Sequence, residues 1–286
     1  MIYVSSSCVR HSKIKESVQE LVDNGFKNIE LSGGTEYYEG FEEDLLELKD
    51  RYSLNYLCHN YFPPPKKHLV LNLASLNDDI FSQTFEHFSK SIKLSHKLGA
   101  SVFGFHAGFF LDIKVSEIGK KLSKSRLFDK SEAIRRFCDG FIKLQEIADK
   151  ASVKLHVENN VYSFSNSQTY NRENIFMLTD SSDYLELKKL MKFNLLLDVA
   201  HLKVSAHTLN LDFETELRFM IKESNYIHIS DNDALHDLNN SLATKSNLVE
   251  LLKSNDLKDK IFTLEIYDGM QSIKNTNEIL IGILDD

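Results

Sequence analysis

Cysteine and proline are scarce in this chain of 286 residues, with three of each. Cys8, Cys58 and Cys138 are scattered and make no C-x-x-C pair, so neither a disulfide framework nor a zinc ribbon is indicated. The prolines stand together as Pro63-Pro64-Pro65, a run that no helix or central strand interior tolerates. Long apolar runs are missing: no stretch of about 18 apolar residues exists to span a bilayer, so no membrane partner is expected. No positively charged apolar leader opens the sequence, and the cytoplasm is the expected compartment. Excess positive charge is missing too. The formal net charge is −8, which argues against a nucleic-acid partner, because phosphates favour a basic surface. What is present is ample material for a core, since 42% of residues are apolar. The length alone fits one α/β barrel or two ordinary domains.

Apolar spacing makes the choice. Strand-like stretches fall at Ile2–Ser7, Asn28–Leu31, Leu54–Phe62, Ser101–His106, Val153–Glu158, Asn194–Asp198, Tyr226–Ser230 and Ile261–Ile266. Helical spacing follows each of them, at His11–Asn24, Phe41–Arg51, Leu76–Leu98, Ser131–Lys150, Ser181–Met191, Phe213–Lys222, Lys245–Ser254 and Gln271–Leu284. In the third helix Ile80, Phe81, Phe85, Phe88, Ile92 and Leu98 recur at core spacing, and Gly99 closes it. Phe109–Asp129 and Asn159–Thr179 lack such a period and are long enough to be lids. Strands each followed by a helix, with no linker and no internal repeat, predict an α/β fold: a single (β/α)8 barrel forming one domain over residues 1–286. An open doubly wound sheet competes, but it normally carries a glycine-rich turn after its first strand, and Ser5–Arg10 has no glycine.

Four of the strand-like stretches end on side chains that bind metals. Val153–Asn159 carries Glu158, Asn194–His201 carries Asp198, Tyr226–Asp231 carries His228 and Phe262–Tyr267 carries Glu265. In a barrel the active centre lies at the C-terminal strand ends, so these four converge on one mouth, with His59 and His106 beside them. Any one of these groups, taken singly, is more often a satisfied loop residue. Together they are hard to explain by structure alone, because buried neighbouring carboxylates cost several kcal/mol each without a cation. Two glutamates, one aspartate and one histidine form an oxygen-rich set suited to one divalent ion, Mn, Co or Mg, or less typically Zn. His201, three residues past Asp198, is free either to contact a substrate hydroxyl or to cap a helix, and Asp231 is placed to hold the His228 ring.

The ordered series LCHN, FHAG, HVEN, LDVAH, HISD and LEIY resembles the xylose isomerase-like TIM barrels, a superfamily of sugar and sugar-phosphate isomerases and epimerases that includes the endonuclease IV family. The likeness spans nearly the whole chain. It implies that Glu158, Asp198, His228 and Glu265 bind the metal, that Glu158 and Glu265 exchange the substrate proton, and that His201 contacts the sugar. Endonuclease IV adds an Asp-x-His pair for a third zinc. Here the matching stretch is Asp237-Leu238-Asn239, with asparagine in the histidine place.

The expected activity is therefore a metal-dependent isomerase or epimerase of a small sugar or sugar derivative, phosphorylated or not. Its proton would move between two glutamates through a metal-stabilised cis-enediolate. His59, His106 and His201 would bind the substrate, and His59 with His106 could instead help hold a second metal. The alternatives are an endonuclease IV-like phosphodiester hydrolase, a sugar dehydratase and a non-catalytic ligand-binding barrel. The expected partner is a small carbohydrate. A homo-oligomer stays open.

Overall fold

The computed structural model describes residues 1–118 and 120–285. Eight parallel strands close into a barrel in sequential order. They are β1 (Ile2–Ser5), β2 (Asn28–Leu31), β3 (Asn55–His59), β4 (Val102–His106), β5 (Lys154–Glu158), β6 (Asn194–Asp198), β7 (Ser224–Ile229) and β8 (Ile261–Leu264). Around them run α1 (Ile14–Asp23), α2 (Phe41–Tyr52), α3 (Asp78–Lys97), α4 (Lys130–Ala151) and α5 (Phe164–Thr169). The second half adds α6 (Ser181–Leu190), α7 (Val199–Leu209), α8 (Phe213–Glu223), α9 (Asn247–Lys253) and α10 (Met270–Asp285). The expected (β/α)8 barrel is the observed one. Among the described residues, no helix is long and apolar enough to cross a membrane.

Strand phase separates the core into two parts. Successive side chains point to opposite faces of a strand, so residues two apart share a face. One phase, including Val4, Ile29, Cys58, Phe103, Phe105, Leu155, Val157, Leu197, Ile227 and Leu264, packs with helix residues such as Phe88, Phe141 and Leu217 in the main apolar cluster. The other phase faces the barrel interior. There Tyr3, Leu57, Val102, Leu196 and Tyr226 form a separate small cluster, with Ile261 against it. Two residues further along those same strands stand Ser5, His59, Gly104, Asp198, His228 and Thr263. An apolar floor thus carries a polar layer, and the polar layer opens at the strand ends.

Two helices were not expected from the sequence. α7 begins directly at Asp198 and is buried nearly all round, at Val199, Ala200, His201, Leu202, Val204, Ser205 and Ala206. A helix without an exposed face shows no amphipathic period. α5 has only six residues, mostly polar, and Ser163 caps it by accepting from the Asn166 N–H. Asn159–Thr179 is therefore not irregular throughout, as its composition suggested. The first strand is also shorter than expected, because Ser6–Cys8 turns into a 3-10 helix.

The two candidate lids are tied together. Phe110 N–H donates to the Ile175 carbonyl at 2.8 Å and Met177 N–H to the Gly108 carbonyl at 2.9 Å. Val70, Phe109, Leu111, Leu122, Tyr170 and Ile175 form an apolar cluster of their own beneath them. Gly119, within the first lid, lies outside the described residues.

Candidate metal centre

The polar layer brings Glu158, Asp198, His228 and Glu265 together. Strand register does part of this: Asp198 stands opposite His228 and His106 opposite Glu158. His228 Nδ1 lies 3.6 Å from Glu158 Oε1, 3.9 Å from Asp198 Oδ2 and 3.6 Å from Glu265 Oε2. These separations are too long for hydrogen bonds. Ligands about 2.1 Å from a shared ion stand about 3.0–3.4 Å apart, so small side-chain adjustments would close the set around one. The fit has a second sign. Glu158 Oε1, Asp198 Oδ2 and His228 Nδ1 are each buried without a hydrogen-bond partner. Buried polar atoms are nearly always paired, and three orphans facing one another are atoms that a cation would satisfy. The donor set of three carboxylates and one imidazole matches a divalent ion that prefers oxygen.

His228 and the main chain of Asp198 are held by two residues, Glu30 and Asn159, that were not among the sequence candidates. Glu30, wholly buried on β2, takes His228 Nε2–H at 3.1 Å and the Thr263 hydroxyl at 3.0 Å on the same oxygen. Fixing Nε2 as the donor leaves Nδ1 as the lone-pair nitrogen facing the acids. Asp198 is the N-cap of α7, and its Oδ1 accepts the His201 N–H at 2.7 Å. One carboxylate oxygen therefore serves the helix and the other is left for the site. Asn159 straps the same strand end: its side chain accepts from Asp198 N–H at 2.7 Å and donates to the Asp198 carbonyl at 3.0 Å. Its own carbonyl accepts from His201 Nδ1 at 2.9 Å.

The sequence expectation for Asp231 is corrected here. Asp231 does not hold His228; it pairs with Lys203 at 2.5 Å and caps the Asn232 N–H. Its side chain lies past the strand end and bends outward, whereas Glu30 enters from across the barrel. A signal for Glu30 was present, an acid in the short apolar strand NIEL, at the interior phase. Nothing in the local sequence says which strand lies opposite it.

A second group forms on the other side of Glu158. Its Oε2 accepts from His59 Nε2 at 2.7 Å and lies 3.2 Å from His106 Nδ1. His59, His106 and Glu158 make one group with metal-ligand spacing, and Glu158, Asp198 and His228 make another, with Glu158 common to both. Gly104 makes room for this: a Cβ there would stand 3.0 Å from His59 Cδ2. His201, the remaining candidate, turns its Nε2 to Asp237 Oδ2 at 3.3 Å. Asp237 was noticed only as part of an incomplete motif, and the fold gives it a partner.

Titration follows from the crowding. Burial raises the Glu158 carboxyl, but His106, His59 and His228 outweigh it and hold the group well below its ordinary range. Burial disfavours the charged His228 ring, yet with no ion beside it Glu30, Glu265 and Glu158 raise it well above the usual range; an ion at Nδ1 would take the place of that second proton. His201 behaves alike, its burial overcome by Asp198 and Asp237. Asp198 goes the other way: burial, with Glu158 adding, pushes it up to about 7. Crowding thus moves neighbouring acids and imidazoles in opposite directions.

Above the layer lies a cavity of about 760 Å³ lined by Ser7, Arg10, His59, His106, His201 and Glu265 among others. A second cavity, of about 550 Å³, shares Asn60, Tyr61, His106, His201 and Asp237 with it as lining.

An α/β barrel with its ionisable cluster at the C-terminal strand ends is the class that fold and site define. The family model described as the xylose isomerase-like TIM barrel matches residues 18–280, and the chain belongs to this family. No curated protein matches the sequence significantly. Among solved structures, a D-tagatose 3-epimerase-like protein is 19% identical, with a TM-score of 0.72 over 99% of this chain and 97% of its own. The 3-keto-D-glucoside 4-epimerase from E. coli is 11% identical, with a TM-score of 0.65 over 99% and 98%. Endonuclease IV from Thermus thermophilus is 14% identical, with a TM-score of 0.59 over 98% and 99%. At these identities the likeness is one of fold.

Proposed function

We propose that the protein is a divalent-metal-dependent isomerase or epimerase of a small sugar or sugar derivative, with residues 1–286 acting as one barrel domain. The observation that carries this is the convergence of three orphaned buried atoms, Glu158 Oε1, Asp198 Oδ2 and His228 Nδ1, beneath an open cavity. With Glu265 they would hold the ion. A bound divalent ion supplies Lewis acidity that makes a proton next to a carbonyl easier to remove. The chain's own residues do the rest. Glu265 lines the cavity and is placed to take or return a proton directly. Glu158 is sealed beneath His59 and His106; His59 holds its Oε2, and His106, which lines the cavity, is placed to carry its proton to or from the substrate. His201 and His106 face the cavity and orient substrate oxygens, and the joined lids exclude water. Sugar epimerases of the same fold support this reading.

The test combines metal analysis with a panel of ketoses. About one equivalent of Mn, Co or Mg, and turnover reduced at least a hundredfold in both Glu158→Gln and Glu265→Gln, would support it. Intact turnover in both variants would defeat the two-glutamate mechanism.

A second reading is favoured by the His59, His106 and Glu158 group: a phosphodiester hydrolase of the endonuclease IV type working with two ions. Two zinc equivalents and cleavage of abasic DNA would replace the first reading with this one.

A further inference from the structure

One cavity lies away from the metal layer. It encloses about 730 Å³ and is bordered by α2, α3 and the segment that leaves β3 through Pro63-Pro64-Pro65. It shares no lining residue with the two cavities over the strand ends, one polar and the other with an apolar wall at Phe109, Phe164 and Phe176. Its size falls within the range of about 300–1,000 Å³ typical of small-molecule sites.

Two chemistries make up its wall. Tyr37, Phe41, Pro63, Pro64, Leu69 and Leu94 form an apolar part. Five lysines form the other, at positions 66, 67, 90, 93 and 97. Lys90 pairs with Glu86 at 2.7 Å and Lys97 with Glu42 at 2.6 Å. Lys66, Lys67 and Lys93 have no acidic partner among the described residues, in a chain whose net charge is −8. Lys66 Nζ stands 4.8 Å from the centre of the Tyr37 ring, so the two parts of the wall meet there. Along α3, Gln83, His87, Lys90, Leu94 and Lys97 recur three or four residues apart and so share one face. His87 is buried in that wall, and its Nε2 has no hydrogen-bond partner. Buried polar atoms are nearly always paired, so a ring nitrogen is left over for a ligand.

The occupant is constrained from both sides. A small anion alone would gain little, because exposed charge pairs contribute little in water. A neutral apolar molecule would leave three lysines uncompensated. No serine, threonine or asparagine lines the cavity among the described residues, so a sugar or a nucleobase would bury polar edges without partners.

We propose that this cavity binds a free amphiphilic anion, an apolar chain carrying one carboxylate, with the chain against Phe41, Pro64 and Leu94 and the charge among Lys66, Lys67 and Lys93. The site is independent of the sugar reading of the cavity over the metal layer.

The experiment is calorimetric binding to the Mn-loaded full chain. Its probes are hexanoate, octanoate and decanoate below their micelle concentrations, 1-decanol, acetate, adenosine monophosphate and phosphatidylglycerol vesicles. Acetate reports any carboxylate taken up by the bound ion. One decanoate is expected per chain, bound at least tenfold more tightly than hexanoate, since each buried methylene adds about threefold or more. Decanol should bind at least fivefold more weakly than decanoate. Lys66→Glu and Lys93→Glu should each lower decanoate affinity at least fivefold and leave decanol unchanged. Both are exposed positions, and circular dichroism checks that the variants fold. The chain has no tryptophan, so Gln83→Trp, at an exposed position of α3, places a single indole at the cavity. Decanoate should shift its emission to the blue; a folded Gln83→Trp variant that no longer takes up decanoate places the ligand there equally. Absence of decanoate binding, equal affinity for decanoate and decanol, or an affinity unmoved by both lysine variants would each overturn the proposal. Decanoate binding that leaves the indole emission unmoved puts the ligand elsewhere and also overturns it. Tighter binding of adenosine monophosphate makes the site a nucleotide site, and binding to vesicles in preference to free decanoate makes it a membrane surface; either result replaces the proposal.

Discussion

Replacing Glu30 by glutamine should weaken divalent-metal binding while leaving the four proposed ligands in place. Glu30 Oε2 receives two donors, His228 Nε2–H and the Thr263 hydroxyl, and its Oε1 is buried with no partner. A glutamine can still accept both donors through its carbonyl oxygen. Its NH2 then occupies the unpartnered position, where a buried donor without an acceptor costs about 1–3 kcal/mol of stability. The charge that makes the imidazole a stronger electron donor is also lost. Removing such a partner of a metal-bound histidine typically lowers affinity about 10–100-fold, equivalent to about 1.4–2.7 kcal/mol. Titration of the metal-free protein with Mn²⁺ and Co²⁺ measures the affinity, and urea unfolding without metal measures the structural cost separately. A Co²⁺ absorption spectrum reports whether the ligand field changes. A folded Glu30→Gln variant whose metal affinity stayed within threefold of the parent would refute the claim that Glu30 orients His228.

Three further outcomes follow from packing and charge. Gly108→Ala should destabilise the protein by about 1–3 kcal/mol, because its Cβ would overlap the Ala74 Cβ; denaturant unfolding checks this. Asn160→Ala should cost about 2–3 kcal/mol, since the Asn160 amide donates to the carbonyls of Ala107, Gly108 and Met177 and so pins the lid bases together; limited proteolysis should then cut the lids faster. His87 is buried, and that burial, with Lys90 adding, pushes it down to about 4. The unfolded chain therefore holds the extra proton between about pH 4 and 6.5, so stability falls as pH drops through that window, by up to about 3 kcal/mol. His87→Gln should lose correspondingly less stability between pH 7 and pH 4.5, and equal losses in both proteins would contradict the assignment.

Much of the barrel was legible because each strand and helix advertises itself locally. NIEL at Asn28–Leu31 and NLLLD at Asn194–Asp198 were read to the residue, and the long amphipathic α3 and α4 to within two. α7 was not, because a helix buried on every side has no period to read. The candidate ligands were legible for another reason: acids and histidines at strand ends stand out against apolar runs. Glu30 and Asn159 were illegible as supports, since their partners lie 198 and 39 residues away in the chain and only closure of the barrel brings them near. The apolar wall of the second cavity was hidden in segments that look polar, with Phe109, Phe164 and Phe176 too far apart in sequence to form a pattern.

The pairing of β1 with β8 has a consequence for how the protein matures. Glu30 and His59 belong to the first half of the chain, while Asp198, His228 and Glu265 belong to the second. The second half, with Glu158, holds all four proposed ligands but cannot brace them alone, because His228 waits for Glu30 and Glu265 waits for Ser7, 258 residues distant. Such long-range closure is slow relative to local helix formation. High-affinity ion capture should therefore appear only in the last phase of refolding, which would make a bound metal a timer for ring completion as well as a cofactor.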